Sequence, residues 1–451
     1  MSAATKRSAW SNRWTFIMAT AGSAIGLGNI WKFPYMAGAN GGSAFVLIFL
    51  VCILLVGIPL MMCEIMLGRR AQKNPADGMR LLAQEAGASH HWQWVGLMGV
   101  ITGVLILTFY SVIGGWVIRY IVHAVANDFS GADSGMIGQM FAGMLGSPGT
   151  LIFWHTVFTA MTVWVVARGV NHGLEKASKI LMPLLFAILL LLFFYSMVEG
   201  SFSHAVDFMF TPDFSKITPA AALSALGHAF FSLSLGMGAV MVYGSYLQRH
   251  VSIARTSCYI ALADTLVALL AGLTIFALVF EHQLEPAAGP GLIFQTLPLA
   301  FGKMWGGQVV AILFFVLVTF AAWTSSISLI EPAAAWITEN TNILRSHAAY
   351  LIGLSTWLLG IAVVLSFNRW EDVSIVLGFG IFDTLDKLTS TILLPIGGLM
   401  MAIFAGWVMR THHVQEELGL KNRLYAVWRF SIRYISPIAI IAIFLFLIGL
   451  I

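Results

Sequence analysis

Two glycine pairs, Gly26-Leu27-Gly28 and Gly236-Met237-Gly238, each fall about halfway along an apolar stretch long enough to cross a lipid bilayer. Glycine is a poor helix residue and exposes its peptide groups. In hydrocarbon every peptide N–H and C=O must find an internal partner. A spanning helix is therefore interrupted only where the freed groups are buried in protein or line a cavity. Interruptions at corresponding places in two halves of a chain point to a polar site at the middle of a helical bundle, as in membrane transporters.

The composition agrees with a bilayer solvent. Hydrophobic residues make up 59% of the 451 and charged residues only 10%, against about 25% charged in a soluble domain. The net charge of +4 comes from basic residues scattered through short loops. Membrane topology accounts for them better than nucleic acid, and no nucleic-acid partner is expected. No cleavable signal is expected either: the run from Trp14 to Tyr35 is too long for a signal core and lacks a small-residue cleavage site. Cys52, Cys63 and Cys258 lie in or beside apolar segments without metal-ligand spacing, and read as lipid- or core-facing thiols. The pairs His90-His91 and His412-His413 sit in polar loops, where solvation is expected.

At about 20 apolar residues per span, the chain reads as an all-α integral membrane protein of eleven helices. They are expected near 14–36, 43–69, 92–125, 150–168, 174–198, 219–246, 255–280, 306–340, 349–367, 378–409 and 431–451. With the N-terminus inside, 18 of the 24 Lys and Arg fall on one side, and the 126–150 loop opposite has none. The positive-inside rule then puts the N-terminus in the cytoplasm and the C-terminus outside. Residues 287–303, with Pro290 and Pro298 and Pro286 just before, read as an external capping or re-entrant element. The expected organisation is a single transporter domain over 1–451. A first repeat of five helices (14–198) is followed by a second (219–409) and an extra helix (431–451). Each repeat opens with a broken helix, and an odd number of spans inverts the second relative to the first.

The residues around the breaks carry a resemblance. Ala21-Gly-Ser-Ala-Ile-Gly-Leu-Gly-Asn-Ile-Trp-Lys-Phe-Pro34 followed by Asn40-Gly-Gly42 resembles the first-helix signature of the neurotransmitter:sodium symporters, particularly their bacterial amino-acid members. Gly57-Ile-Pro59 with Glu64 and Gly68-Arg69, Phe230-Phe-Ser-Leu-Ser-Leu-Gly-Met-Gly238, and Thr324-Ser-Ser326 extend it over almost the whole chain. The resemblance implies a leucine-transporter-like fold with discontinuous helices one and six. It also implies uptake of an amino acid driven by sodium at a bacterial inner membrane, without enzymatic activity.

It further implies two sodium sites. Ala24, Asn29, Ser232 and Asp264 would form the first, completed by the substrate carboxylate. Gly22, Ile25, Ala321, Thr324 and Ser325 would form the second. Taken alone, Thr324-Ser325-Ser326 also suits plain helix–helix packing. The substrate would lie among Ser23, Ala24, Leu27, Gly28, Ile106, Tyr110, Phe231, Ser232, Ser234, Met237, Ser325 and Leu329. Amides near Leu27-Gly28 and the Tyr110 hydroxyl would take its carboxylate, and carbonyls near Phe231, Ser232 and Ser234 its ammonium. Gly26 stands where monoamine transporters carry an aspartate, so the substrate must bring its own carboxylate. The apolar pocket of Ile106, Phe231, Met237 and Leu329 suits hydrophobic L-amino acids, aliphatic or aromatic, although the same residues also read as ordinary core.

Asp264 is the informative departure from the family pattern. A charge at mid-depth costs about 3 kcal/mol or more and needs a partner. Many members have asparagine there, and animal members add chloride nearby. Here the matching neighbours are Phe49, His228 and Ala268, a poor chloride cage, so no chloride is expected and Asp264 supplies the charge. A proton carrier and a purely structural pairing are the other readings of Asp264. Lys32 with Asp386 would form the external gate, Asp383 being the weaker candidate. Phe231 and Tyr110 would lie beneath it. Arg7 with Glu339, covered by Trp10, would form the internal gate. Gly173 and Pro183 resemble a family motif for local unwinding that releases sodium. Two readings compete with the symporter of hydrophobic amino acids. One is an amino-acid sensor on a transporter scaffold, the other a symporter of another small zwitterion.

Overall fold

The computed structural model describes residues 9–285, 291–376 and 378–447. Among these, nine continuous helices are long and apolar enough to cross a membrane, from Ser43–Ala71 to Asn422–Phe446. Two more apolar segments are broken. Arg13–Ala24 resumes as Gly28–Lys32 and Phe33–Ala39, and Pro219–Ser232 resumes as Ala239–Gly244.

The breaks have distinct local causes. In the first, Ile25 leaves the helix in an extended conformation. In the second, Ser234, Gly236 and Gly238 all take positive φ, which side chains larger than glycine adopt reluctantly. A methyl group at Gly236 would also lie 2.1 Å from the Leu394 carbonyl oxygen. The breaks meet, since the Ser234 hydroxyl donates to the Ser23 carbonyl at 2.8 Å. The long helix His90–Val125 reaches both the second break and the helix Gly307–Asn340 through small residues. Cβ positions at Gly99 and Gly103 lie 3.1 Å from Met237 and 3.0 Å from Leu329 backbone atoms. Small residues allow such close approach where no water drives helices together.

Three readings need correction. The last helix begins at Asn422, not near 431, because Tyr425 and Trp428 turn inward and Trp428 donates its indole N–H to the Pro59 carbonyl at 3.0 Å. In the 287–303 element the described part is helical over Leu292–Thr296 and Leu297–Phe301. It is mostly buried, with Tyr120 donating to the Phe294 carbonyl at 2.9 Å, which sets aside the capping alternative and leaves the re-entrant one. Pro286 and Pro290 lie outside the described residues. His413 is not simply solvated, since its Nδ1 lies 3.6 Å from Glu85. The three cysteines are free, with Cys63 buried and Cys258 exposed.

Candidate functional site

Asn29, Ser232 and Asp264 converge from three helices in a fully buried cluster. The Asn29 amide donates to Asp264 Oδ1 at 2.8 Å, to the Asp264 carbonyl at 3.0 Å and to Ser232 Oγ at 3.2 Å. Ser232 Oγ lies 2.9 and 2.8 Å from the two Asp264 carboxylate oxygens. The Asn29 Oδ1 accepts from the Gly26 N–H at 3.1 Å, so the same side chain ties this cluster to the first break. Carboxylate, hydroxyl, amide and backbone oxygens are hard donors, the set that alkali and alkaline-earth cations prefer over soft metals.

A second oxygen cluster lies on the other side of the first break. Ser325 Oγ is 3.3, 3.1 and 3.3 Å from the carbonyls of Gly22, Ser23 and Ile25. Thr324 Oγ1 donates to the Ala321 carbonyl at 3.1 Å. The free carbonyls at the end of Arg13–Ala24 carry the negative pole of that half-helix, and the N–H groups near Gly28 carry the positive pole of the next. Cation-seeking and anion-seeking groups therefore lie a few residues apart.

Between the breaks is a cavity of about 20 Å³, lined by Ser23, Ala24, Gly26, Gly28, Ile106, Tyr110, Phe231, Ser234, Met237, Ser325 and Leu329. That is room for little more than one water. Two expected residues stand apart from it. Leu27 instead lines an outer cavity of about 150 Å³ with Trp31, Lys32, Phe382 and Asp386, although its N–H donates to the Tyr110 hydroxyl at 3.2 Å. Ser232 is turned into the Asp264 cluster, because its hydroxyl is better satisfied by a carboxylate than by an apolar wall.

The cavity is closed on both sides. Lys32 lies 3.7 Å from Asp386 and 4.6 Å from the centre of the Phe231 ring; Asp383 lines the same outer space. On the opposite side Trp10 is 1% exposed and wedged edge-on against Phe16, Tyr243 and Tyr246. Its indole N–H donates to the Tyr243 carbonyl at 3.0 Å. Arg7 lies outside the described residues. Glu339 accepts from the backbone and side-chain N–H groups of Asn74, at 2.9 and 3.0 Å.

Sequence reasoning missed two carboxylates on this side. Glu175 accepts from the Ser11 N–H at 3.3 Å and pairs with Lys179 at 2.6 Å. Buried Glu331 pairs with Arg345 and accepts from the Tyr246 hydroxyl at 2.7 Å. A carboxylate inside an apolar span is the one signal that could have flagged Glu331. Glu64, quoted only as part of a motif, proves to hold the second break, accepting the Gly236 N–H at 2.7 Å.

Phe49 and His228 face each other with ring centroids 5.4 Å apart, and Phe33 and Phe45 complete an aromatic box around the imidazole. Neither His228 nitrogen has a hydrogen-bond partner. Gly173 lies in a wide helical turn, Val170–Glu175, that leads directly into the helix Lys176–Glu199 containing Pro183. The segment expected to unwind is thus wound here.

A polytopic bundle with two helices broken around a closed polar site is the architecture of a membrane transporter. The chain belongs to the Sodium:neurotransmitter symporter family, whose profile matches residues 7–136 and 137–450. The uncharacterized sodium-dependent transporter YhdH of Bacillus subtilis strain 168 is 39% identical over 445 residues, covering 98% of both chains. An uncharacterized sodium-dependent transporter of Haemophilus influenzae is 35% identical, again over 98% of both. Among solved structures, MhsT in complex with L-phenylalanine matches with a TM-score of 0.91 at 40% identity, over 98% of this chain and 99% of that one. The chain is a sodium-dependent membrane transporter with an all-helical, leucine-transporter-like fold, and not an enzyme.

Proposed function

We propose that this chain takes up hydrophobic L-amino acids into a bacterial cell across the inner membrane, coupled to sodium and independent of chloride. In this reading the N-terminus is cytoplasmic and the C-terminus outside, and the units 14–198 and 219–409 move against each other. The observation that carries the proposal is the buried Asp264–Ser232–Asn29 cluster abutting the first break. It supplies a fixed negative charge where one sodium would bind among Ala24, Asn29, Ser232 and Asp264. The other would bind among Gly22, Ile25, Ala321, Thr324 and Ser325. The Phe49–His228 box offers rings in place of hydroxyl donors, which supports chloride independence.

The substrate carboxylate would displace the contact between the Leu27 N–H and the Tyr110 hydroxyl and take both as donors. The apolar walls Ile106, Met237 and Leu329 favour an aliphatic or aromatic side chain, and flexible Met237 adapts to either. Because the closed cavity has room for little more than a water, binding must widen it, and sodium and substrate then stabilise the same widened state. The solved MhsT complex contains L-phenylalanine, which makes this amino acid the first probe. Uptake of radiolabelled L-phenylalanine into sealed proteoliposomes should require a sodium gradient and persist when chloride is replaced by gluconate. Asp264→Asn should abolish uptake in gluconate. Binding without gradient-driven accumulation would favour a sensor, and a chloride requirement of the unmodified protein would defeat the role given to Asp264.

A further inference from the structure

Separate from the cavity between the breaks, a cavity of about 220 Å³ lies between the helices Pro148–Ala167 and Val170–Glu199, with Trp323 of Gly307–Asn340 also lining it. Trp164 and Ile180 are 52% and 51% exposed, so the cavity opens on the surface that faces lipid. Its ends differ in chemistry. Arg168, His172 and Lys176 line one end, and no carboxylate is among the lining residues. Ile180, one helical turn or about 6 Å beyond Lys176, lines the other with Trp323. The Arg168 guanidinium lies 3.7 Å from the centre of the Trp164 ring, which holds the cation at the mouth. The nearest acid in sequence, Glu175, is committed to Ser11, Asn171 and Lys179. The indole N–H of Trp323 has no hydrogen-bond partner.

A cationic rim above an apolar slot, open to the bilayer, fits a molecule with an anionic head and a hydrocarbon tail. Basic pockets between spanning helices on the cytoplasmic side are suited to anionic lipid headgroups. We propose that this cavity binds one anionic phospholipid, its phosphate among Arg168, His172 and Lys176 and an acyl chain along Ile180 and Trp323. Assignment to the cytoplasmic leaflet rests on the orientation proposed above. The chemistry of the site does not. Bound there, the phosphate would bridge the end of one spanning helix and the first turns of the next.

The test is lipid retention by the purified full-length protein, read by native mass spectrometry after exchange into micelles containing phosphatidylglycerol or phosphatidylcholine. The unmodified protein should keep one phosphatidylglycerol and no phosphatidylcholine. The double variant Arg168→Gln/Lys176→Gln should lose retention by on the order of tenfold. If that variant does not fold, His172→Gln/Lys176→Gln, altering only exposed side chains, should show a smaller loss in the same direction. Equal retention of both lipids, or unchanged retention in a folded variant, would overturn the proposal. So would full displacement of the lipid by inorganic phosphate, which would mark a small-anion site. Sodium-dependent L-phenylalanine binding, measured on the same preparations, reports separately on the proposed function and should be unchanged by either variant.

Discussion

A single methyl group decides the chemistry at Gly26. A Cβ there would lie 2.4 Å from Ser325 Oγ and 2.8 Å from the Tyr110 hydroxyl, and both of these side chains are buried. Gly26→Ala should therefore weaken L-phenylalanine binding at least tenfold, the cost of about 1.4 kcal/mol, while the protein stays monodisperse and helical. Binding within twofold of the unmodified protein would show that the substrate does not use this surface. Outside the bilayer, Arg70 holds the Glu85 carboxyl below its ordinary range, chiefly by a hydrogen bond. A depressed folded value means the bridge stabilises fully above the unfolded carboxyl value of about 4.3, and is lost as pH falls through the folded one. Thermal unfolding of Glu85→Gln should thus differ from the unmodified protein at neutral pH and begin to converge with it only as pH falls below about 4.3.

Among the elements, the helix entered through Val170–Glu175 is the one expected to change shape. Pro183 removes one backbone hydrogen bond within it, and the preceding turn is already wide. Pro183→Ala restores that bond and should slow sodium release toward the cytoplasm, measured as slower sodium-driven turnover with binding intact. Unchanged turnover would remove this segment from the release path. The breaks and the long spans were legible in the sequence because glycines stand out in a long apolar run, whereas the oxygen clusters were expected only through the family resemblance, since hydroxyls in a spanning helix also suit plain packing. The amphipathic helices Pro75–Ala86, Ser134–Leu145, Phe202–Phe210 and Thr411–Leu418 were not. Each is too short or too polar for a rule built on about 20 apolar residues. Nor were the pairings of Glu175 with Ser11 and of Arg69 with Glu417, because partners far apart in sequence leave no local pattern.

At the level of the whole molecule, the two closures are built from different interactions, and their energies should differ accordingly. The outer contact is a partly exposed ion pair, Lys32–Asp386 at 3.7 Å, and exposed pairs are worth about 0–1 kcal/mol. The inner one is a buried tryptophan with three aromatic neighbours and a backbone acceptor, whose truncation costs about 3–5 kcal/mol. If the transporter exchanges between states open to either side, that difference fixes which mutation redistributes it. Lys32→Gln can shift the balance by no more than about fivefold, whereas Trp10→Ala can shift it by 100-fold or more. Hydrogen exchange should accordingly quicken strongly over 10–24 in Trp10→Ala, and only slightly over 380–390 in Lys32→Gln. Comparable effects of the two variants would mean that closure is governed by the packing of whole helices, and that neither Trp10 nor Lys32 sets it.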